Sequence, residues 1–318
     1  MVHTALFTHA DCLNHLTPAG HPESPARLSA VLEGLRGAEF GALSWRDAPL
    51  GRDVDVLRVH DGDYGAALAR ACPEDGGKPV ALDADTYLSA GSLQAARRGV
   101  GAVIAGVDGV MGGEFEAAFC ATRPPGHHAE PDKAMGFCIW NQAAIGALYA
   151  RAAYGLKRVA VVDFDVHHGN GSQSVAETDP DFFYGSIHEG GIYPGSGQAH
   201  EVAFGNLVNV PLPAHTSSAV WRAAFETGIL RPLSQFAPDF VVLSAGFDGH
   251  RHDPLANFDL DAEDFAWATT QLLRITDGKL VSTLEGGYHL GSLVQSAQAH
   301  VRALLTYDRS AGGATSFG

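Results

Sequence analysis

Residues 158–171 read RVAVVDFDVHHGNG and place Asp163, Asp165 and His167 at every second position of an otherwise apolar run. Alternate side chains of a β-strand share a face, so the three polar groups would line one side. At about 3.3 Å per residue, Asp163 and His167 would stand roughly 13 Å apart along a regular strand, too far to hold one ion together. A neighbouring pair, Asp163/Asp165 or Asp165/His167, would serve if the strand bends at its end. Two carboxylates among valines are costly without a cation. A mixed Asp/His set of three ligands with an open position is what catalytic zinc needs. The third ligand has to come from elsewhere, and Asp248 and Asp253 of GFDGHRHDP are both candidates.

Two further clusters carry chemistry. In RPPGHHAE, Pro124, Pro125 and Gly126 fix a rigid turn that delivers the adjacent His127 and His128. Such a pair suits metal ligation or acid–base work. In EGGYH, Gly286 and Gly287 let the backbone approach closely, and the Tyr288 hydroxyl can donate to a developing oxyanion.

The elements that must position these clusters alternate along the chain. Apolar runs predict strands at 5–8, 115–122, 159–166, 182–188, 207–212, 240–247 and 280–284. Helical patterns fall at 24–35, 90–110, 140–154, 217–236, 261–276 and 290–305, the first with Ser24 as N-cap and Pro25 in the first helical position. Strands apolar on both faces and separated by helices indicate a mostly parallel sheet covered on both sides, an α/β three-layer αβα single domain. Ligands of such sheets bind beyond the carboxyl ends of the strands, where each polar cluster lies. No internal repeat or linker stands out, so one domain is expected over 1–309, with a small polar tail at 310–318.

Bulk properties agree with a globular enzyme. The chain has 318 residues, 46% hydrophobic and only 18% charged, enough for a large core and too apolar for widespread disorder. A formal net charge of −15 argues against a nucleic-acid binder, which needs a basic face. The four cysteines, Cys12, Cys72, Cys120 and Cys138, are scattered without a CxxC pair. That pattern suits a reduced cytoplasmic protein. No leader-like start and no run of membrane-spanning length is present in the sequence, so no membrane partner is expected.

Together, HPESPAR, RPPGHHAE, GFCIWN, DFDVHHGNGSQ, NVPL, SAGFD, DPL and LEGGYHL resemble the histone deacetylase superfamily, with its arginase/deacetylase-like fold, along nearly the whole chain. The pattern is most similar to the class II branch and its bacterial relatives. The resemblance implies one catalytic zinc on Asp165, His167 and Asp253, and one or two structural potassium ions. For potassium it implies Asp163, Asp165, His167, Ser186 and Ile187, some through backbone oxygens. It pairs His127 with Asp163 and His128 with Asn170, where class I relatives usually carry an aspartate. Phe137, beside Gly136, and Tyr193 would wall an acyl-lysine tunnel, Tyr193 replacing a more usual phenylalanine. Asp85 would be a rim aspartate and Arg27 an interior arginine.

The implied activity is metal-assisted hydrolysis of an acetylated primary amine, with release of acetate. His128 would be general base, His127 its companion, and Tyr288 an oxyanion donor. Leu255 stands where one acetylpolyamine deacetylase branch has glutamate, which favours acetyl-lysine over acetylpolyamine substrates. The resemblance leaves a homo-oligomer open.

Overall fold

The computed structural model describes residues 4–308, so the tail expected at 310–318 lies outside the described residues. Eight strands form one sheet, and every pairing in it is parallel. They are β1 (Thr4–Thr8), β2 (Ser44–Asp47), β5 (Ala117–Cys120), β6 (Val159–Asp163), β7 (Phe182–Glu189), β8 (Leu207–Leu212), β9 (Phe240–Ala245) and β10 (Leu280–Leu284). Their order is β2-β1-β5-β10-β9-β6-β7-β8. A separate two-stranded antiparallel ribbon joins β3 (Val80–Ala81) to β4 (Tyr87–Leu88).

Alternation along the strands divides the core in two. Leu6, Phe119, Ala160, Val162, Val241, Leu243 and Leu280 pack on one side with α1 (Pro25–Gly34), α9 (Ala262–Ile275), α10 (Leu290–Thr306) and the region 218–236. Ala5, Phe7, Ala118, Val159, Val161, Val242 and Val281 face α4 (Ser92–Met111) and α5 (Gln142–Tyr154) on the other. Both sheet faces are therefore dry, as continuous Val/Ala/Leu runs require.

The structure differs from the sequence reading at several points. Expected strand 159–166 stops at Asp163, because the next polar side chains fold over the sheet's end instead of continuing the ladder. Strand 240–247 likewise stops at Ala245, and 115–122 shortens to Ala117–Cys120. The helix expected at 217–236 is broken into α7 (Ser218–Phe225), a π turn at Glu226–Leu230, and α8 (Arg231–Phe236). Pro232 lacks an N–H and its ring crowds the carbonyl four residues back, which a widened turn accommodates. Ser24 is the N-cap of α1 but makes no side-chain cap bond. The sequence reading missed β2, the β3–β4 ribbon, α2 (Asp53–Val56), α3 (Gly62–Ala71) and α6 (Asn170–Ala176). No helix among the described residues is long and apolar enough to cross a membrane.

Candidate active site

Four neighbouring central strands, β5, β10, β9 and β6, each run into one of the polar clusters at their carboxyl ends. Beyond β6 the chain bends. The His167 N–H donates to Asp165 Oδ1 at 2.9 Å, and His167 Nδ1 stands 3.2 Å from the same oxygen. The bend thus brings the neighbouring pair Asp165 and His167 together, as a single-ion site requires. Asp248 reaches in from the loop after β9, 3.1 Å from His167 Nδ1, and its other oxygen accepts from the Val166 N–H at 2.9 Å. Asp165, His167 and Asp248 bring ligand atoms within 4.8 Å of one another. Asp253 lies outside that trio. Its oxygens accept from the Leu255 N–H at 3.0 Å and the Tyr288 N–H at 2.7 Å.

Electrostatics make this group fit a cation. Burial and the Asp248 charge push Asp253 up to about 7, while burial and Asp165 raise Asp248. Burial would lower His167, but Asp165 and Asp248 outweigh it and lift the imidazole to about 10. Surroundings that bind a proton this tightly also favour a metal ion in its place, which removes the repulsion among buried carboxylates.

The adjacent histidines meet opposite environments. His127 Nδ1 donates to Asp163 Oδ2 at 2.9 Å, and that oxygen also accepts from the Tyr184 hydroxyl at 2.9 Å. Burial opposes a charged His127, yet Asp165 and Asp163 raise it to about 10. His128 Nδ1 faces Asn170 Oδ1 at 2.9 Å. The Asn170 amide nitrogen is committed to Glu130 at 2.7 Å and the His128 carbonyl at 3.3 Å, which fixes the oxygen toward the ring. His128 Nδ1 therefore carries the hydrogen and Nε2 keeps its lone pair. Burial, then the His127 and His167 charges, hold His128 well below the usual histidine range. A charged imidazole beside a neutral one, ring centroids 4.0 Å apart, divides acid from base roles.

Tyr288 stands across the site, its ring 5.7 Å from Phe137 and under the Arg27 guanidinium at 4.8 Å. Burial raises its hydroxyl well above the usual value, so it remains an O–H donor. Arg27, fully buried, holds the carbonyls of Gly287 and Glu285 at 2.5 Å each. Gly136 has φ +56°, and a Cβ there would lie 2.8 Å from His128 Cγ and 2.9 Å from Tyr193 Cε1. Only glycine lets this turn pass so close to both rings. Tyr193 sits edge-on to His128 at 5.1 Å and is partly exposed.

The remaining candidates take varied places. Asp85 is half-buried, and its carbonyl receives His21 Nε2 at 2.9 Å, while the His21 ring packs on Phe137 at 4.8 Å. Leu255 is exposed beside Asp253. Ser186 pairs with Asp163 across β6 and β7. The Ile187 side chain is in the core, so only its backbone could meet an ion.

Residues 21–304 match the family model described as "Histone deacetylase domain". The chain belongs to the histone deacetylase family. It is 41% identical over 308 residues to an uncharacterized protein of Synechocystis sp., covering 95% of this chain and 99% of that one. It is 37% identical to the "Histone deacetylase-like amidohydrolase" of Pseudomonas aeruginosa, covering 85% and 73%. The solved "HDA15 HD domain" superposes with a TM-score of 0.91 at 36% identity, covering 96% of this chain and 88% of that one. The protein is thus a histone deacetylase-family hydrolase acting on amide bonds, with the arginase/deacetylase fold.

Within this deacetylase the sequence reading passed over three groups. Tyr184 secures Asp163 and accepts from the Gly169 N–H at 3.0 Å. Glu130 orients Asn170. Glu285 is buried among the backbone of the histidine turn. The last was legible as a charged residue ending an apolar strand, the same signal that marked Asp163.

Proposed function

We propose that the protein is a zinc-dependent deacetylase acting on acetyl-lysine-type amides and releasing acetate. The observation that carries this reading is the split environment of His127 and His128 beside the buried carboxylate group, with Tyr288 opposite. Asp165, His167 and Asp253 are assigned as zinc ligands, and Asp248 adds a further acidic group facing the same space. The bound ion would supply Lewis-acid polarisation of the acyl oxygen and acidify a water. His128 Nε2 accepts the proton of the attacking water, because its ring is neutral and its Nδ1 hydrogen is anchored on Asn170. His127, held cationic by Asp163 and Asp165, adds positive charge beside the reacting centre. The Tyr288 hydroxyl donates to the oxyanion. His128, joined by His127, returns the proton to the departing amine.

Gly136, Phe137 and Tyr193 are assigned to the walls of the acyl channel, Asp85 and Leu255 to its rim, and Arg27 to its interior end. Asp163, Asp165, His167, Ser186 and Ile187 are assigned to a structural potassium ion offsetting the second strand-end carboxylate. The uncharged Leu255 at the rim favours acetyl-lysine over a substrate with a distant ammonium. A cytoplasmic location completes the reading. Metal-quantified enzyme should turn over acetyl-lysine peptides faster than N-acetylputrescine. A clear preference for N-acetylputrescine would replace the substrate assignment, and equal activity after chelation would remove the metal.

A further inference from the structure

Glu285 is a buried carboxylate to which the mechanism above gives no task. It follows β10 directly and is fully enclosed. One oxygen accepts from the Gly126 N–H at 2.6 Å and the His127 N–H at 3.2 Å, and the other meets the Ser244 hydroxyl at 3.2 Å. The three residues that follow bind the rest of the site through their backbone. The Gly286 N–H donates to Asp165 at 2.8 Å, the Gly287 carbonyl receives Arg27 at 2.5 Å, and the Tyr288 N–H donates to Asp253 at 2.7 Å. Residues 285–288 thus contact, in consecutive order, the histidine turn, Asp165, Arg27 and Asp253, and the last of them is itself the assigned oxyanion donor.

We propose that Glu285 is a positioning residue for the reaction, setting the height of the His127–His128 turn against Tyr288 and the assigned metal ligands. The proposal rests on the deacetylase reading of the site. Other bonds hold the turn from elsewhere: the Ala129 N–H to the Gly126 carbonyl at 3.0 Å, the Ser172 N–H to the His127 carbonyl at 3.2 Å, the Asn170 amide to the His128 carbonyl at 3.3 Å, and the ring bonds of His127 to Asp163 and of His128 to Asn170. None of these runs to the end of β10. The Glu285 side chain ties the turn to that end beyond the β5–β10 ladder. Ligand atoms of Glu285, His127 and Cys138 also lie within 4.8 Å of one another. Burial holds the Cys138 thiol well above its usual pKa. Its sulfur is also engaged with the Gly136 carbonyl at 3.3 Å. The group therefore reads as a brace and not as a second metal site.

Two conservative variants separate geometry from charge. Glu285→Gln keeps the length and can turn its carbonyl oxygen to both N–H groups and its NH2 to Ser244. Glu285→Asp keeps the charge but withdraws the carboxylate by one methylene. Because small misplacement of reacting groups is costly in rate, kcat should fall about threefold in Glu285→Gln and about thirtyfold or more in Glu285→Asp. KM and metal content should stay near wild type in both, and circular dichroism verifies folding. The reverse order, Glu285→Asp active and Glu285→Gln inactive, would show that charge and not placement matters and would overturn the proposal. Loss of metal in parallel with kcat would overturn it as well. A wild type inactive on every acetylated amine would instead overturn the deacetylase reading.

Discussion

At the scale of single residues, function depends on pairs that differ by one atom type. Asp163 and Asn170 support adjacent imidazoles; against burial, Asp165 and Asp163 raise the His127 ring, whereas burial and the neighbouring His127 and His167 hold the His128 ring low. Tyr288 is kept protonated by burial while its backbone N–H steadies Asp253. Removing the hydroxyl alone leaves that N–H in place. Tyr288→Phe should therefore lose about 10²-fold or more in kcat, the scale of one oxyanion donor, with metal content unchanged. Steady-state kinetics on an acetyl-lysine reporter decides this, and unchanged turnover would remove Tyr288 from the mechanism. The residue types of this site were legible in the sequence. Glu130 and Tyr184 were not, because their partners lie 40 and 21 positions away, a separation no local pattern reports.

At the scale of elements, the end of β10 organises the site. A Cβ on Gly286 would lie 2.6 Å from Asp165 Oδ2 and 2.7 Å from Asp248 Cγ, and would break the Gly286 N–H contact to Asp165. Gly286→Ala should therefore lower metal retention after gel filtration well below that of wild type while the fold persists. Full metal content in that variant would show that the carboxylates tolerate displacement. Strand cores such as Leu280–Leu284 and Leu207–Leu212 coincide with their apolar runs. The ends of β6 and β9 do not, because Phe164 and Phe247 are apolar yet pack in the core after the sheet has ended. Both still donate one N–H to the neighbouring segment, Phe164 to the Ser244 carbonyl at 3.3 Å and Phe247 to the Gly286 carbonyl at 3.0 Å, so burial past a strand's end looks identical to a strand in sequence.

At the scale of the whole molecule, stability should depend on pH through histidines that the core keeps neutral. His300 lies between Thr269 and Ser282, 2.7 Å and 2.8 Å from their hydroxyls. Burial lowers it from 6.5 to about 3, and burial lowers His60 to about 4. Below pH 6.5 the unfolded chain binds these protons and the folded chain does not. The contribution of these two histidines is thus full above pH 6.5 and falls with pH until each folded value is reached, by about 1.4 kcal/mol per unit per group, against the opposite contribution of Asp253 and Glu285, which burial raises to about 7. From pH 7 to pH 5 the urea midpoint of the wild type should fall relative to that of His300→Leu. An identical slope in that variant would show that His300 is protonated in the fold.

The sequence alone determined which residues have chemistry to offer and that they follow strands of a covered parallel sheet. Their types, the apolar runs and the glycines are local properties. It left Asp248 against Asp253 open and gave Glu285 no role. Only the tertiary structure placed Asp248 beside Asp165 and His167 and Glu285 against the histidine turn, because the strand order β5-β10-β9-β6 brings the ends of four distant segments together. That order follows from how the helices cover both faces of the sheet, a packing outcome that no single segment encodes.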